Sequence, residues 1–309
     1  MQQKIDVLVS EVGPRDGLQS IRSIMPLAAK KTWISAEAAA GVREIEVGSF
    51  VPPKLLPQLA DTAEVAAHAL TIPGLTVAVL VPNLKGAQAA VAAGVHKITI
   101  PFSASDTHLQ KNVRHTPAEM LEETRAIVAL LRGLPAGRRP RLEAGISTAF
   151  GCSYEGVVPA DKVVRLAETL MKAGCDEVGL SDSVGYANPA QIKELVTRVR
   201  EAVGEHALAG LHLHNTRGLG LANVLAGLET GVLTFDSSLG GLGGCPWAPG
   251  ASGNVVTEDL VFMLEAMGLR TGIDIERLLS VRKIVQDALP QEEMYGFTPE
   301  AGLPLGFRG

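Results

Sequence analysis

Residues 75–101 read "LTVAVLVPNLKGAQAAVAAGVHKITIP". A short apolar run (75–81) gives way to an alanine-rich helical stretch (84–93), Gly94 ends it, and a second apolar run (96–101) follows. Strand, helix, glycine stop, strand is the signature of a βαβ unit, because parallel strands need a crossover long enough to hold a helix.

Working outward, the unit recurs nearly from end to end. Strands are predicted at 5–12, 43–48, 75–81, 96–101, 141–148, 177–182, 208–214 and 233–239. Helices are predicted at 26–40, 60–70, 84–93, 117–133, 160–173, 189–203, 219–230 and 257–267. "AAAG" at 38–41, "MKAG" at 171–174 and "LETG" at 228–231 are further glycine stops. Thr116-Pro117 and Asn188-Pro189 read as N-cap plus first-turn proline. Eight strand–helix units fit a (β/α)8 TIM barrel. A doubly wound open sheet is the structural alternative, but no early strand leads through a glycine fingerprint into a helix. "TGIDIERLLSVRKIVQDAL" (271–289) adds a C-terminal helix, and the Pro- and Gly-rich 290–309 is expected to be extended. The whole of 1–309 is thus expected to be one barrel domain, with about 271–309 packing on it.

Bulk properties narrow the function. The chain is 46% hydrophobic with a net charge of −5, so no basic field advertises nucleic acid or an anionic membrane. No apolar run is long enough to span a bilayer. Cys152, Cys175 and Cys245 are too few and scattered for a disulfide framework, which suits a reducing compartment. The N-terminus moves directly into a strand without a presequence pattern, so a cytoplasmic location is expected.

Chemistry in such barrels gathers at the C-terminal strand ends. The first strand ends in "EVGPRDGLQ" with Arg15 and Asp16, and the second holds Glu44 and Glu46 on one face. The sixth ends at Asp182 and the seventh in "LHLHNTRG" with His212 and His214, two apart and hence on one face. The eighth runs into a glycine-rich stretch carrying Cys245, Asn254 and Glu258. Each has a bland reading: core histidines, a surface Arg15–Asp16 pair, Asp182 as a turn cap, Cys245 as a small apolar residue. Several charged groups at one barrel end, however, demand a partner such as a cation. Two imidazoles, a carboxylate and an amide oxygen, without thiolate, favour Mg2+ or Mn2+ over structural zinc.

The motifs "EVGPRDGLQ", "IEVGSFVPPKLLPQLAD", "LVPNLKGAQAAVAAGV", "GCSYEG", "LHLHNTRG" and "SSLGGLGGCPWAPGASGNVVTEDLVFMLEAMG" closely resemble the hydroxymethylglutaryl-CoA lyase family, over about residues 5–290. The resemblance implies a divalent-metal-dependent barrel lyase that cleaves 3-hydroxy-3-methylglutaryl-CoA to acetyl-CoA and acetoacetate, as in leucine catabolism and ketone body metabolism. It implies metal ligands Asp16, His212, His214 and Asn254, with Arg15 stabilising the enolate oxygen and Glu46 supporting it. It further implies Asp182 as an acidic site residue, Cys245 in proton transfer, Glu258 in a less defined role, and a homodimer or higher homo-oligomer.

The sequence also departs from the family. Many members carry Asp-Thr-Tyr-Gly after the second metal histidine, where this chain has Asn215-Thr216-Arg217-Gly218, and the fifth strand ends in an unusual "GISTAFGCSYEG". Arg217 is expected to meet a substrate carboxylate, a CoA phosphate or a neighbouring acid. A related branched substrate such as citramalyl-CoA or a longer homologue is therefore a rival. Lys54, Lys85, Lys111 and Arg114 are candidates for the CoA phosphates, each with solvated surface as the alternative. Acyl-CoA condensation or carboxyl transfer to pyruvate, and a non-catalytic acyl-CoA-binding barrel, are the remaining rivals.

Overall fold

The computed structural model describes residues 4–135, 137–243 and 253–307. Eight strands alternate with helices in the order β1 (Leu8–Glu11), α1 (Leu27–Ala40), β2 (Glu44–Ser49), α2 (Thr62–Ala69), β3 (Thr76–Leu80), α3 (Leu84–Ala93), β4 (Lys97–Ser103), α4 (Asp106–Val113) and α5 (Pro117–Arg132). The order continues β5 (Arg141–Ser147), α6 (Ala160–Ala173), β6 (Glu177–Asp182), α7 (Pro189–Val203), β7 (Leu208–Leu213), α8 (Gly220–Glu229), β8 (Thr234–Ser237), α9 (Thr257–Ala266), α10 (Ile275–Ala288) and α11 (Phe297–Ala301). All strand pairs are parallel, and β1 closes on β8 with Leu8 opposite Thr234 and Ser10 opposite Asp236. The predicted (β/α)8 barrel is the observed fold.

Local chemistry explains the boundaries. Thr116 and Asn188 both cap their helices with full capping boxes, and proline follows in the first turn. Gly41 and Gly174 end α1 and α6 at φ of 114° and 108°, a conformation that costs glycine nothing. Two elements depart from expectation. Residues 106–113 are helical although only Leu109 is buried, so apolar periodicity gave no signal there. The tail expected to be extended holds the short α11, which packs against α9. The C-terminal helix α10 packs on α1, as expected of an appended helix.

The apolar core lies between barrel and helices: Ile45, Val77, Ile98, Leu142, Val178, Leu211 and Phe235 are all essentially inaccessible. Bulky branched side chains ordinarily fill the barrel interior of this fold in layers. Here the inward positions include Ser10, Ala78, Gly145, Gly179 and Gly210, and a cavity of about 620 Å3 runs through them. Small inward residues thus keep the barrel hollow.

Candidate active site

The turn after β1 carries the first two site residues. Gly13–Gly17 is π-helical, with the Asp16 and Gly17 N–H groups donating to the Val12 carbonyl at 2.7 and 3.4 Å. Single π-helical turns are rare and concentrate at functional sites. This one holds Arg15 and Asp16 in the cavity wall while leaving each only 8% exposed. Arg15 Nη1 donates to Asp16 Oδ1 at 2.5 Å, and its Nε donates to Glu46 Oε2 from β2. Strand alternation puts Glu46 on the cavity wall and Ile45 and Val47 toward the helices.

The end of β7 supplies the imidazoles. His212 Nε2 and His214 Nε2 stand 3.1 Å apart, and His212 Nε2 lies 3.9 Å from Asp16 Oδ2. Candidate ligand atoms of Asp16, His212 and His214 all fall within 4.8 Å of one another. Asn254 pairs with His214 in an isolated antiparallel bridge. Its Nδ2 donates to Asp16 Oδ2 at 2.8 Å, whereas its Oδ1 is buried without any hydrogen-bond partner. A buried amide oxygen without a donor is costly. One beside a carboxylate and two converging ring nitrogens is the donor set a divalent cation completes, so these residues fit a metal.

Asp236 of β8, missed in the sequence, organises one ligand. Its Oδ2 sits 3.1 Å from His212 Nδ1, which fixes a proton there and leaves Nε2 facing the site. The available signal was its place at the end of an inward-facing strand, two residues after Thr234. Gln19 Nε2 donates to Asp16 Oδ1 at 3.0 Å and steadies the carboxylate further.

Electrostatics follow from this packing. Burial alone would raise the Asp16 carboxyl, but Arg15, both imidazoles and the Asn254 amide outweigh it and hold the group well below the usual range. Burial and then the neighbouring His212 push His214 down to about 4, so it stays neutral and able to ligate. Burial raises Glu46, with Arg15 opposing.

The remaining predicted residues are placed differently. Asp182 is buried, but it caps a turn by accepting the Tyr186 and Ala187 N–H groups at 2.8 and 3.0 Å. Its neighbours Ser181 and Ser183 line the cavity and Asp182 does not. Glu258 is likewise turned away from the cavity, accepting the Gly240 N–H at 2.9 Å and Arg282 Nη1 at 3.0 Å. Lys111 and Arg114 line the cavity mouth, whereas Lys54 and Lys85 are exposed outside it. Arg217 makes no ion pair among the described residues: its Nη1 donates to the Val184 and Gly185 carbonyls at 3.0 Å, and its guanidinium stacks 4.6 Å from the Tyr186 ring. Cys245 lies outside the described residues.

Fold and site together define a (β/α)8 barrel whose C-terminal face presents a carboxylate–imidazole–amide ligand set beside a buried arginine. The HMGL-like family matches residues 6–285, and the chain belongs to that family. It is 40% identical over 283 residues to hydroxymethylglutaryl-CoA lyase YngG of Bacillus subtilis (strain 168), spanning 92% of this chain and 93% of that one. It is 42% identical over 283 residues to the mitochondrial hydroxymethylglutaryl-CoA lyase of Gallus gallus, with the same two coverages. Among solved structures, an HMG-CoA lyase from Acinetobacter baumannii in complex with coenzyme A and 3-methylmalate superposes with a TM-score of 0.90 at 39% identity, covering 98% and 97% of the two chains.

Proposed function

We propose that this protein is a divalent-metal-dependent carbon–carbon lyase that cleaves 3-hydroxy-3-methylglutaryl-CoA to acetyl-CoA and acetoacetate. The observation that carries the reading is the convergence of Asp16, His212, His214 and the unpartnered Asn254 Oδ1 beside Arg15, in a chain 40% identical to a named lyase of that activity. The donor set suits Mg2+ or Mn2+, which when bound would grip the substrate's C3 hydroxyl and lower its pKa.

The chain's own residues supply the rest. As the C3 hydroxyl passes its proton to Glu46, whose Oε1 on the cavity wall is buried without a partner, the C2–C3 bond breaks, acetoacetate's carbonyl forms and the electron pair passes to the thioester enolate. Arg15 places positive charge where that enolate develops, which is differential stabilisation of the transition state. Glu46 and Asp16 hold its guanidinium in place through two of its nitrogens. Cys245 then delivers a proton to C2 of the enolate, completing acetyl-CoA. Lys111 and Arg114 at the mouth meet the CoA phosphates. A homo-oligomer in the cytoplasm completes the reading.

A related branched 3-hydroxyacyl-CoA is a second reading, favoured by the cavity continuing beneath the ligand set past Gly145, Gly179 and Gly210. The test compares acetyl-CoA release from hydroxymethylglutaryl-CoA, citramalyl-CoA and a homologue with a longer C3 substituent, with Mg2+ present. The proposal expects the highest kcat/KM with the first, and a fall of about a hundredfold or more in Cys245→Ser. A preference for either other thioester would replace the substrate assignment.

A further inference from the structure

Behind the cavity wall lies a second set of carboxyls that the reaction above does not use. Glu11, Glu37 and Glu258 are all inaccessible to solvent. Charged and titratable groups reach this pocket from four elements. β1 brings Glu11, α1 brings Glu37 one turn beyond Trp33, α9 brings Glu258, and α10 brings Arg282. The end of β8 contributes the Ser237 hydroxyl, and the turn after it the Leu239 N–H. Arg282 is committed to Glu258 and to the Met294 and Tyr295 carbonyls. Lys30, also on α1, is committed to Asp61 and the Gln58 carbonyl. Among the described residues, Glu11 and Glu37 are therefore left beside each other with no cation of their own, an arrangement that two full negative charges cannot sustain.

Their hydrogen bonds divide the roles. Glu11 accepts three donors: Gly13 N–H at 2.7 Å, Leu239 N–H at 3.0 Å and Thr257 hydroxyl at 2.6 Å. Neither oxygen of Glu37 completes a hydrogen bond, and the one donor group beside it, the Trp33 indole N–H a turn earlier on α1, is itself buried without a completed one. A buried carboxyl that accepts nothing is stable as the neutral acid, whose own O–H can donate to Glu11. The approach of Glu11 to the turn is close enough that a Cβ on Gly13 would fall 2.5 Å from Glu11 Oε1 and 2.9 Å from the Trp33 ring.

The three donors belong to the segments that build the active site. Gly13 opens the π-helical turn of Arg15 and Asp16, and Leu239 and Thr257 flank Cys245 and Asn254 in sequence. We propose that Glu11 and Glu37 share one proton and act together as positioning residues. Glu37 is the acid, and Glu11 is the carboxylate that pins the Arg15–Asp16 turn to the segments on either side of Asn254. Burial, the largest influence on both, raises Glu37 well above the usual carboxylate range, whereas on Glu11 the hydrogen bonds from Thr257, Leu239 and Gly13 oppose the rise.

The test uses Glu37→Gln, which keeps a neutral donor toward Glu11, against Glu37→Met, which keeps the volume and removes the donor. Mn2+ affinity by calorimetric titration is read beside kcat and KM for acetyl-CoA release. The kinetic arm rests on the lyase reading, but the Mn2+ arm does not, so a wild type that binds Mn2+ and fails to cleave condemns only that reading. The expected result is a Gln variant within about threefold of wild type in both measurements. The Met variant should lose about tenfold in Mn2+ affinity and in kcat with KM little changed, the size expected for one unsatisfied buried group. A Met variant equal to wild type, or a Gln variant that loses Mn2+ affinity or fails to fold, overturns the proposal. Failure to fold in Met alone, with Gln intact, supports it.

Discussion

The two ends of the barrel interior are both charged, and they are charged in different ways. At the N-terminal end, Lys97 Nζ reaches Glu143 at 2.7 Å, Glu44 at 3.2 Å and Glu177 at 3.6 Å, and Arg141 adds a second cation to Glu177. Every charge there has a partner within the protein. At the C-terminal end, Asn254 Oδ1, Glu46 Oε1 and His214 Nδ1 are buried without partners, and two ring nitrogens face one another at 3.1 Å. Burial of charge therefore does not by itself mark function. Satisfied burial is architecture, and unsatisfied, convergent burial is a site waiting for a ligand.

That contrast can be broken most severely at the ligands. His214→Ala should abolish Mn2+ binding and remove nearly all acetyl-CoA release while leaving the melting temperature close to wild type. A variant that still binds Mn2+ with wild-type affinity would dissolve the contrast. Arg15→Gln should lower kcat by about 10²–10³-fold, the usual cost of losing one preorganised charge at a developing oxyanion, with Mn2+ affinity retained. Asp236→Asn should weaken Mn2+ binding by about 10–100-fold, because the amide no longer fixes the His212 tautomer. At the opposite end, Lys97→Met should cost about 3–5 kcal/mol of stability, since its carboxylates would be left uncompensated. The molecules that remain folded should keep wild-type kcat, and a large loss of kcat at unchanged stability would show the floor to be catalytic.

The smallest expected effect is a slope of stability with pH. Burial raises Glu37 well above the usual carboxylate range and Glu177 from 4.5 to about 7. The folded state then holds protons that the unfolded chain releases above about 4.5, so raising pH favours unfolding across that window. Melting temperature should fall between about pH 5 and pH 8. A rise over the same range, measured calorimetrically, would contradict the assignment of those protons.

Much of this was legible in the residues. The unit in 75–101 and its repetition led to the barrel because helix stops and apolar runs are local signals. The HxH pair and "EVGPRDGLQ" were legible because strand alternation and long motifs carry their own geometry. What escaped depended on contacts distant in sequence. Asp236 acquires its role only when β8 lies beside β7, and Asp182 and Glu258 resemble site acids until the fold turns them onto backbone N–H groups. Arg217 reads as a partner for a carboxylate, a phosphate or an acid because nothing in "HNTRG" reveals that Val184, Gly185 and Tyr186 will meet it.

The most direct measurement is acetyl-CoA release from hydroxymethylglutaryl-CoA as Mn2+ is titrated into chelator-treated protein, with bound metal counted in parallel. Turnover should be absent at the start and rise with occupancy of a single site per chain. Undiminished turnover in excess chelator, or saturation of that site with no acetyl-CoA released, would contradict the assignment of the C-terminal end of the barrel as a metal-dependent lyase site.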